Sequence, residues 1–285
     1  MKLGAHMSIA GGYSKAIERG KLVDCTAVQL FTKNANQWAG KPITEPEADL
    51  FKAACGEAGV SACDIIAHDS YLINLATPDD ILWEKSLGAF GHELDRCELL
   101  GIPALVTHAG AHMGSGEDAG LARIAQGLER VLSDRPGQPV TVLLETTAGQ
   151  GTCLGYTFEH LARVINMLSA DQRSRVAVCW DTCHLFVAGM DFSDKDRYET
   201  MVESFDRIVG LDKLHAIHLN DSKKGLGSRV DRHEHIGKGT LGVEPFRLIL
   251  NDERLAAVPK VIETPKGDDL AEDKENLGLL RSLVG

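Results

Sequence analysis

Residues 104–145 read ALVTHAGAHMGSGEDAGLARIAQGLERVLSDRPGQPVTVLLE, and the architecture of the chain follows from how this segment is built. It opens on a short apolar run that stops at His108 and closes on a second, Val140–Glu145, that stops at an acid. Between them Leu121, Ile124, Leu128 and Val131 recur at steps of 3, 4 and 3, which is one apolar stripe along a helix. Uninterrupted apolar runs suit strands buried on both faces, and a helix joining two of them is a parallel crossover unit.

The same unit repeats outward in both directions. The apolar runs Lys2–His6, Ala27–Thr32, Asp64–His68, Ala104–His108, Val140–Glu145, Val176–Asp181, His215–Leu219 and Lys260–Glu263 make eight strands. Trp83, Leu87, Phe90, Leu94 and Cys97, and later Phe158, Leu161, Ile165 and Leu168, mark further helices. Eight units in 285 residues, against about 250 for a typical (β/α)₈ barrel, predict a single α/β TIM-barrel domain over residues 1–285. No Pro/Ser-rich linker or low-complexity tract divides it.

Composition narrows the class. Hydrophobic residues are 44% of the chain, enough for a large core, and the net charge is −11. That charge by itself argues against a nucleic-acid partner, because phosphate binding leaves a basic footprint. Met1-Lys2 leads straight into the first strand, and no run approaches the roughly 18 apolar residues of a membrane span. The seven cysteines include no C-x-x-C pair and read as free thiols, so a cytoplasmic location without membrane contact is expected.

The ends of the strands carry the chemistry. Seven of the eight runs carry an imidazole or an acid at or next to their last position: His6, His68, His108, Glu145, Asp181, His218 and Glu263. In a barrel these ends share one face, where barrel enzymes build their sites. Asp181-Thr-Cys-His184 adds His184 just past the sixth strand, and Asp231-Arg-His233 adds two residues that lie on one side of an extended segment. The converging set is His68, His108, Glu145, Asp181, His184, His218, Asp231, His233 and Glu263, five imidazoles and four carboxylates. One zinc takes about four ligands, so two or three ions fit the set, and the mixture of donors suits Zn²⁺, with Mn²⁺ at some positions. A lone histidine at a strand end is ordinarily a structural residue; coincidence at nine positions is not. His92 and His160 fall on helical stretches and are expected at the surface, His6 and His112 lie near the site face, and Cys179 and Cys183 read as small buried fillers.

Several longer motifs then carry a resemblance. His68-Asp-Ser-Tyr-Leu-Ile-Asn74, Asp181-Thr-Cys-His184, His218-Leu-Asn-Asp-Ser222, Gly227-Ser-Arg-Val-Asp-Arg-His233, Gly4-Ala-His-Met-Ser8, Phe31-Thr-Lys-Asn34 and Glu145-Thr-Thr-Ala-Gly-Gln-Gly151 resemble the signatures of endonuclease IV, the zinc-dependent apurinic/apyrimidinic (AP) endonuclease family of base-excision repair, over nearly the whole chain. The resemblance implies three zinc ions. His68, His108 and Glu145 would hold the first, Glu145, Asp181, His218 and Glu263 the second, and His184, Asp231 and His233 the third. It implies cleavage on the 5′ side of abasic sites in double-stranded DNA, leaving a 3′-hydroxyl and a 5′-deoxyribose phosphate, with trimming of blocked 3′ ends, and Glu145 in the catalytic role. Three divalent ions would offset six of the negative charges, and Lys33, Lys223, Lys224, Arg229, Arg232 and Lys238 would form a basic rim. Tyr71 and Leu72 match residues the family inserts into DNA, while Asn36 stands where the family places an inserted Arg. A monomer is expected. The competing class is a xylose isomerase-like sugar isomerase, which also gathers His and carboxylate ligands at strand ends but mainly carboxylates.

Overall fold

A computed structural model describes all of residues 1–285. Eight parallel strands, β1 (Leu3–His6), β2 (Ala27–Phe31), β3 (Ile65–His68), β4 (Ala104–His108), β5 (Thr141–Glu145), β6 (Val176–Asp181), β7 (Leu214–His218) and β8 (Lys260–Ile262), close into a barrel. Each strand pairs with its neighbours in sequence, and the last closes on the first with Leu3 opposite Lys260 and Ala5 opposite Ile262. Helices alternate with the strands: α1 (Tyr13–Leu22), α2 (Glu45–Ala58), α3 (Asp80–Leu100), α4 (Glu117–Ser133), α5 (Phe158–Met167), α6 (Ala170–Arg173), α7 (Thr182–Ala188), α8 (Lys195–Ile208), α9 (Glu244–Leu250) and α10 (Ala271–Ser282). The expected TIM barrel is the fold, with strand limits that differ by a residue at several ends, where chain ends fray.

Local chemistry sets the helix limits. Thr44 and Glu47 form a reciprocal capping box at the start of α2, and Gly59 closes the helix in the left-handed region. Asp79, Thr157 and Asp194 cap α3, α5 and α8 through their side chains. Inside the barrel Ile66, Val106, Leu143, Ala177, Cys179 and Ala216 form their own small cluster. This plug makes the barrel a packed core and leaves only its upper mouth for chemistry. Outside it, Phe205 of α8 meets Trp180 edge-on at 4.9 Å and Phe158 at 5.0 Å, joining strand and helices. At β1 the backbone itself is tight: a Cβ on Gly4 would lie 1.6 Å from the Ala27 carbonyl oxygen, so no larger residue fits.

One element gave no periodic signal. Asp221–Ser222 and His233–Glu234 pair as a two-residue antiparallel ribbon above β7, too short and polar to show alternation. Phe205→Ala removes a fully buried ring and is expected to cost about 3–5 kcal/mol. A fall in the urea midpoint at unchanged slope checks this, and a loss below about 1 kcal/mol would contradict the packing described.

Candidate metal centre

The register of the strands brings the ligands together. Across β4 and β5 His108 stands opposite Glu145, and across β6 and β7 Asp181 stands opposite His218. The nine residues singled out from the strand ends and loops fall into three groups: His68, His108 and Glu145; Glu145, Asp181, His218 and Glu263; and His184, Asp231 and His233. Within each group the nearest donor atoms all lie within 4.8 Å of one another. Glu145 belongs to two groups because its oxygens divide. Oε2 faces His68 Nε2 at 3.1 Å and His108 Nε2 at 3.2 Å; Oε1 faces His218 Nδ1 at 3.1 Å and His184 Nδ1 at 3.3 Å.

The rings are turned by acceptors behind them. A carbonyl oxygen can only accept, so a ring nitrogen that bonds one must carry the hydrogen. Nδ1 of His68 donates to the Asp69 carbonyl at 3.0 Å, which turns Nε2 toward Glu145, where without an ion it donates to Oε2. Nδ1 of His184 donates to the Thr146 carbonyl at 2.8 Å, leaving Nε2 free. That Nε2 and the Nε2 of His233 are buried and make no hydrogen bond. Yet they lie 3.1 and 3.4 Å from the Asp231 oxygens. The spacing is close but the alignment is wrong for donation, as it is when donor atoms point at a common centre rather than at each other. Unpartnered buried nitrogens, four carboxylates and oriented imidazoles therefore fit divalent cations of the Zn²⁺ or Mn²⁺ kind.

The segments carrying these ligands are pinned locally. Asp181 is also the N-cap of α7, where its Oδ1 accepts from the His184 amide at 2.8 Å, so the acid that ends β6 starts the helix that holds His184. Asn220 donates to Asp181 Oδ2 at 2.6 Å and accepts from the Glu263 amide at 2.8 Å, tying β6 to β8. Asp221 is buried and accepts from the backbone amides of Ser222, Gly237, Gly239 and Leu241, which fixes the long loop bearing Asp231 and His233. Gly239 permits this clamp, since a Cβ there would lie 2.4 Å from the Asp221 carboxylate.

Protonation follows from the same contacts. Burial disfavours a charged His68, but the hydrogen bond and charge of Glu145 outweigh it and lift the imidazole to about 9. Burial likewise opposes charge on His184 and His218; Asp181, Asp231 and Glu145 hold the first well above the ordinary histidine range, and Cys179, Glu263 and Glu145 hold the second there. Burial would raise Glu145 and Glu263, and the imidazoles keep both well below the carboxylate range. Cys183 Sγ also lies within reach of Asp181 and His233, but burial pushes its thiol up to about 12, which keeps it protonated and a poor ligand.

A family model described as xylose isomerase-like TIM barrel matches residues 17–283. A protein of Chloroflexus aurantiacus named probable endonuclease 4 is 54% identical over 283 residues, 99% of this chain and 98% of that protein. The chain belongs to the endonuclease IV family. A probable endonuclease 4 of Geobacter sulfurreducens is 55% identical over 282 residues, covering 99% of this chain and 94% of its own length. Endonuclease IV from Thermus thermophilus superposes with a TM-score of 0.85 at 33% identity, over 99% of this chain and 98% of that one. No helix is long and apolar enough to cross a membrane.

Like the groups of ligands, the rest of this endonuclease IV family member's upper face can be placed residue by residue. A cleft of about 510 Å³ is lined by residues that include Tyr71, His108, Gln150, Cys153, Asp231 and Arg232 and opens beside the ligands. Tyr71 is 59% exposed and stands over Phe31, His68 and His108 at centroid distances of 5.5, 5.8 and 6.2 Å; Leu72 is half-buried. Asn36 is exposed, on a turn where its amide donates to Asn34. Lys223, Lys224, Arg229 and Arg232 are at least partly exposed, with the Arg229 guanidinium 4.7 Å above the Tyr156 ring. Lys238 is paired with Glu275 at 2.7 Å.

Two expectations fail. Lys33 does not join the rim: it is buried, paired with Glu93 of α3 at 2.7 Å and bonded to the Gln37 carbonyl, so it anchors the loop after β2 instead of facing solvent. His160 is not at the surface: Nδ1 accepts from the Gly155 amide because the loop after β5 folds back over the start of α5. His92 is exposed as expected, and His112 uses Nδ1 to accept from the amides of Gly114 and Gly116, shaping its own loop. Gln29, Asn220 and Asp221 were missed. The signal for Gln29 was present, a single polar residue in the apolar run Ala27–Phe31.

His68 gains stability from Glu145 when charged. That contribution is full below its ordinary value of 6.5 and is lost as pH rises through about 9. Loading metal at pH 7 must therefore displace protons from the imidazoles, and apparent Zn²⁺ affinity is expected to climb with pH up to about 9. Titration calorimetry in buffers of different ionisation enthalpy checks this; heats independent of buffer would contradict it.

Proposed function

We propose that this chain is a metal-dependent DNA-repair endonuclease. It hydrolyses the phosphodiester on the 5′ side of abasic sites in double-stranded DNA, leaving a 3′-hydroxyl and a 5′-deoxyribose phosphate, and it trims blocked 3′ ends. The observation that carries this reading is the division of the Glu145 carboxylate between two ligand groups beside an open cleft, in a chain 54% identical to a probable endonuclease 4. His68, His108 and Glu145 would hold one Zn²⁺, Glu145, Asp181, His218 and Glu263 a second, and His184, Asp231 and His233 a third. Divalent ions so placed supply Lewis acidity for making hydroxide available near neutral pH and for offsetting charge on a phosphate.

The chain's own groups do the rest. Glu145, only 1% exposed, joins two of the groups and would orient an attacking water. His108 and Asp231 are the ligands most open to the cleft, so a phosphate arriving from solvent meets them first. Lys223, Arg229 and Arg232 form the reduced basic rim and contact backbone phosphates. Tyr71 and Leu72 occupy the gap left by a missing base, and extruding an abasic nucleotide costs little because no base is unstacked. Five imidazoles among nine ligands favour this reading over a sugar isomerase.

Glu145→Gln is expected to fold normally by circular dichroism and to lose incision of a synthetic abasic duplex by about three orders of magnitude, about 4 kcal/mol of barrier. Near-normal rates in that variant would refute the joining role. Arg229→Ala should weaken duplex binding and reduce the slope of log K against log salt by about 1. An unchanged slope, measured by fluorescence anisotropy across salt concentrations, would remove Arg229 from the rim.

A further inference from the structure

For His68, His184 and His233 the acceptor behind the ring is a backbone carbonyl, of Asp69, Thr146 and Glu263 respectively. Any side chain leaves such a carbonyl in place. His218 is different: its Nε2 meets the side-chain Oε1 of Gln29 at 2.7 Å. Gln29 lies on β2, fully buried, and its amide nitrogen lies 2.5 Å from Glu263 Oε1 and 3.0 Å from His6 Nδ1.

The orientation of this amide is forced. A carboxylate only accepts, so the NH₂ group must face Glu263 and the amide oxygen must face His218. That oxygen also only accepts, so His218 Nε2 must carry the ring hydrogen. When the ring gives up its second proton to bind an ion, the lone pair therefore falls on Nδ1, which without an ion donates to Glu145. Nδ1 is the atom that faces Glu145 Oε1 at 3.1 Å, Glu263 Oε2 at 3.2 Å and Asp181 Oδ2 at 3.8 Å. One amide thus sets the tautomer of an imidazole ligand and holds a carboxylate ligand of the same group.

We propose that Gln29 is a positioning residue that turns His218 Nδ1 and the Glu263 carboxylate toward the ion held by Glu145, Asp181, His218 and Glu263, while holding no ion itself. This rests on the metal-centre reading proposed above. The other two groups do not hydrogen-bond to Gln29, so its effect is confined to one ion of the three.

The test uses Gln29→Met on the full chain, which keeps length and apolar volume but removes both hydrogen bonds. Zn²⁺ affinity is measured by competition with a chromophoric chelator. The expected result is three ions on the unaltered chain and, in the variant, one ion weakened by roughly 10–100-fold with the other two unchanged. Three ions of unchanged affinity would overturn the role of Gln29, as would equal weakening of all three. No ion on the unaltered chain would overturn the metal-centre reading itself, a distinct outcome. A second measurement needs no variant: ¹⁵N-histidine NMR of the Zn²⁺-loaded chain should find the His218 proton on Nε2. A proton on Nδ1 overturns the proposal.

Discussion

A single carboxylate at the floor of the barrel mouth organises everything above it. Glu145 ends the fifth strand, is almost fully buried, and has four imidazoles within 3.3 Å of its two oxygens. A charge so deeply placed survives only with opposite charge around it. The strands and α7 supply that charge as imidazoles, and three of these, His68, His184 and His218, are in turn held above their ordinary range by the groups around them. The cluster is therefore mutually dependent, and the parallel register that sets His108 opposite Glu145 and Asp181 opposite His218 is what makes it possible.

The acceptors outside the ligands divide into two kinds. Backbone carbonyls turn His68 and His184, and these come with the fold. Side chains of Gln29, Asn220 and Asp221 do the remaining work, joining β2, β6 and β8 or clamping the loop that carries Asp231 and His233. Substitution can remove the second kind without touching the barrel, so the precision of the site and the stability of the fold are separable.

The sequence made the barrel legible because strands buried on both faces leave continuous apolar runs, and a strand that ends in an acid or imidazole has no packing reason to do so. The nine ligands could be chosen on that basis, and the structure gathers their side chains into three groups. What stayed hidden depended on contacts between distant segments. Lys33 looked like a free cation until Glu93, far along the chain on α3, was seen to neutralise it. His160 looked exposed because periodicity cannot show a loop folding back over a helix. The Asp221–Glu234 ribbon is too short to alternate. Gln29 was visible as one polar residue in an apolar strand, but its meaning needed Glu263 and His218 beside it.

Under the proposed function, the net charge of −11 would be reconciled with DNA by divalent cations among the ligands and by Lys223, Arg229 and Arg232. Everything therefore turns on whether divalent ions sit among these side chains. Anomalous diffraction from crystals of the purified chain, recorded at the zinc and manganese edges, answers this directly. Three peaks, one within each group and two of them flanking Glu145, are predicted. A fully active preparation whose crystals show no anomalous peak among these residues would contradict the account.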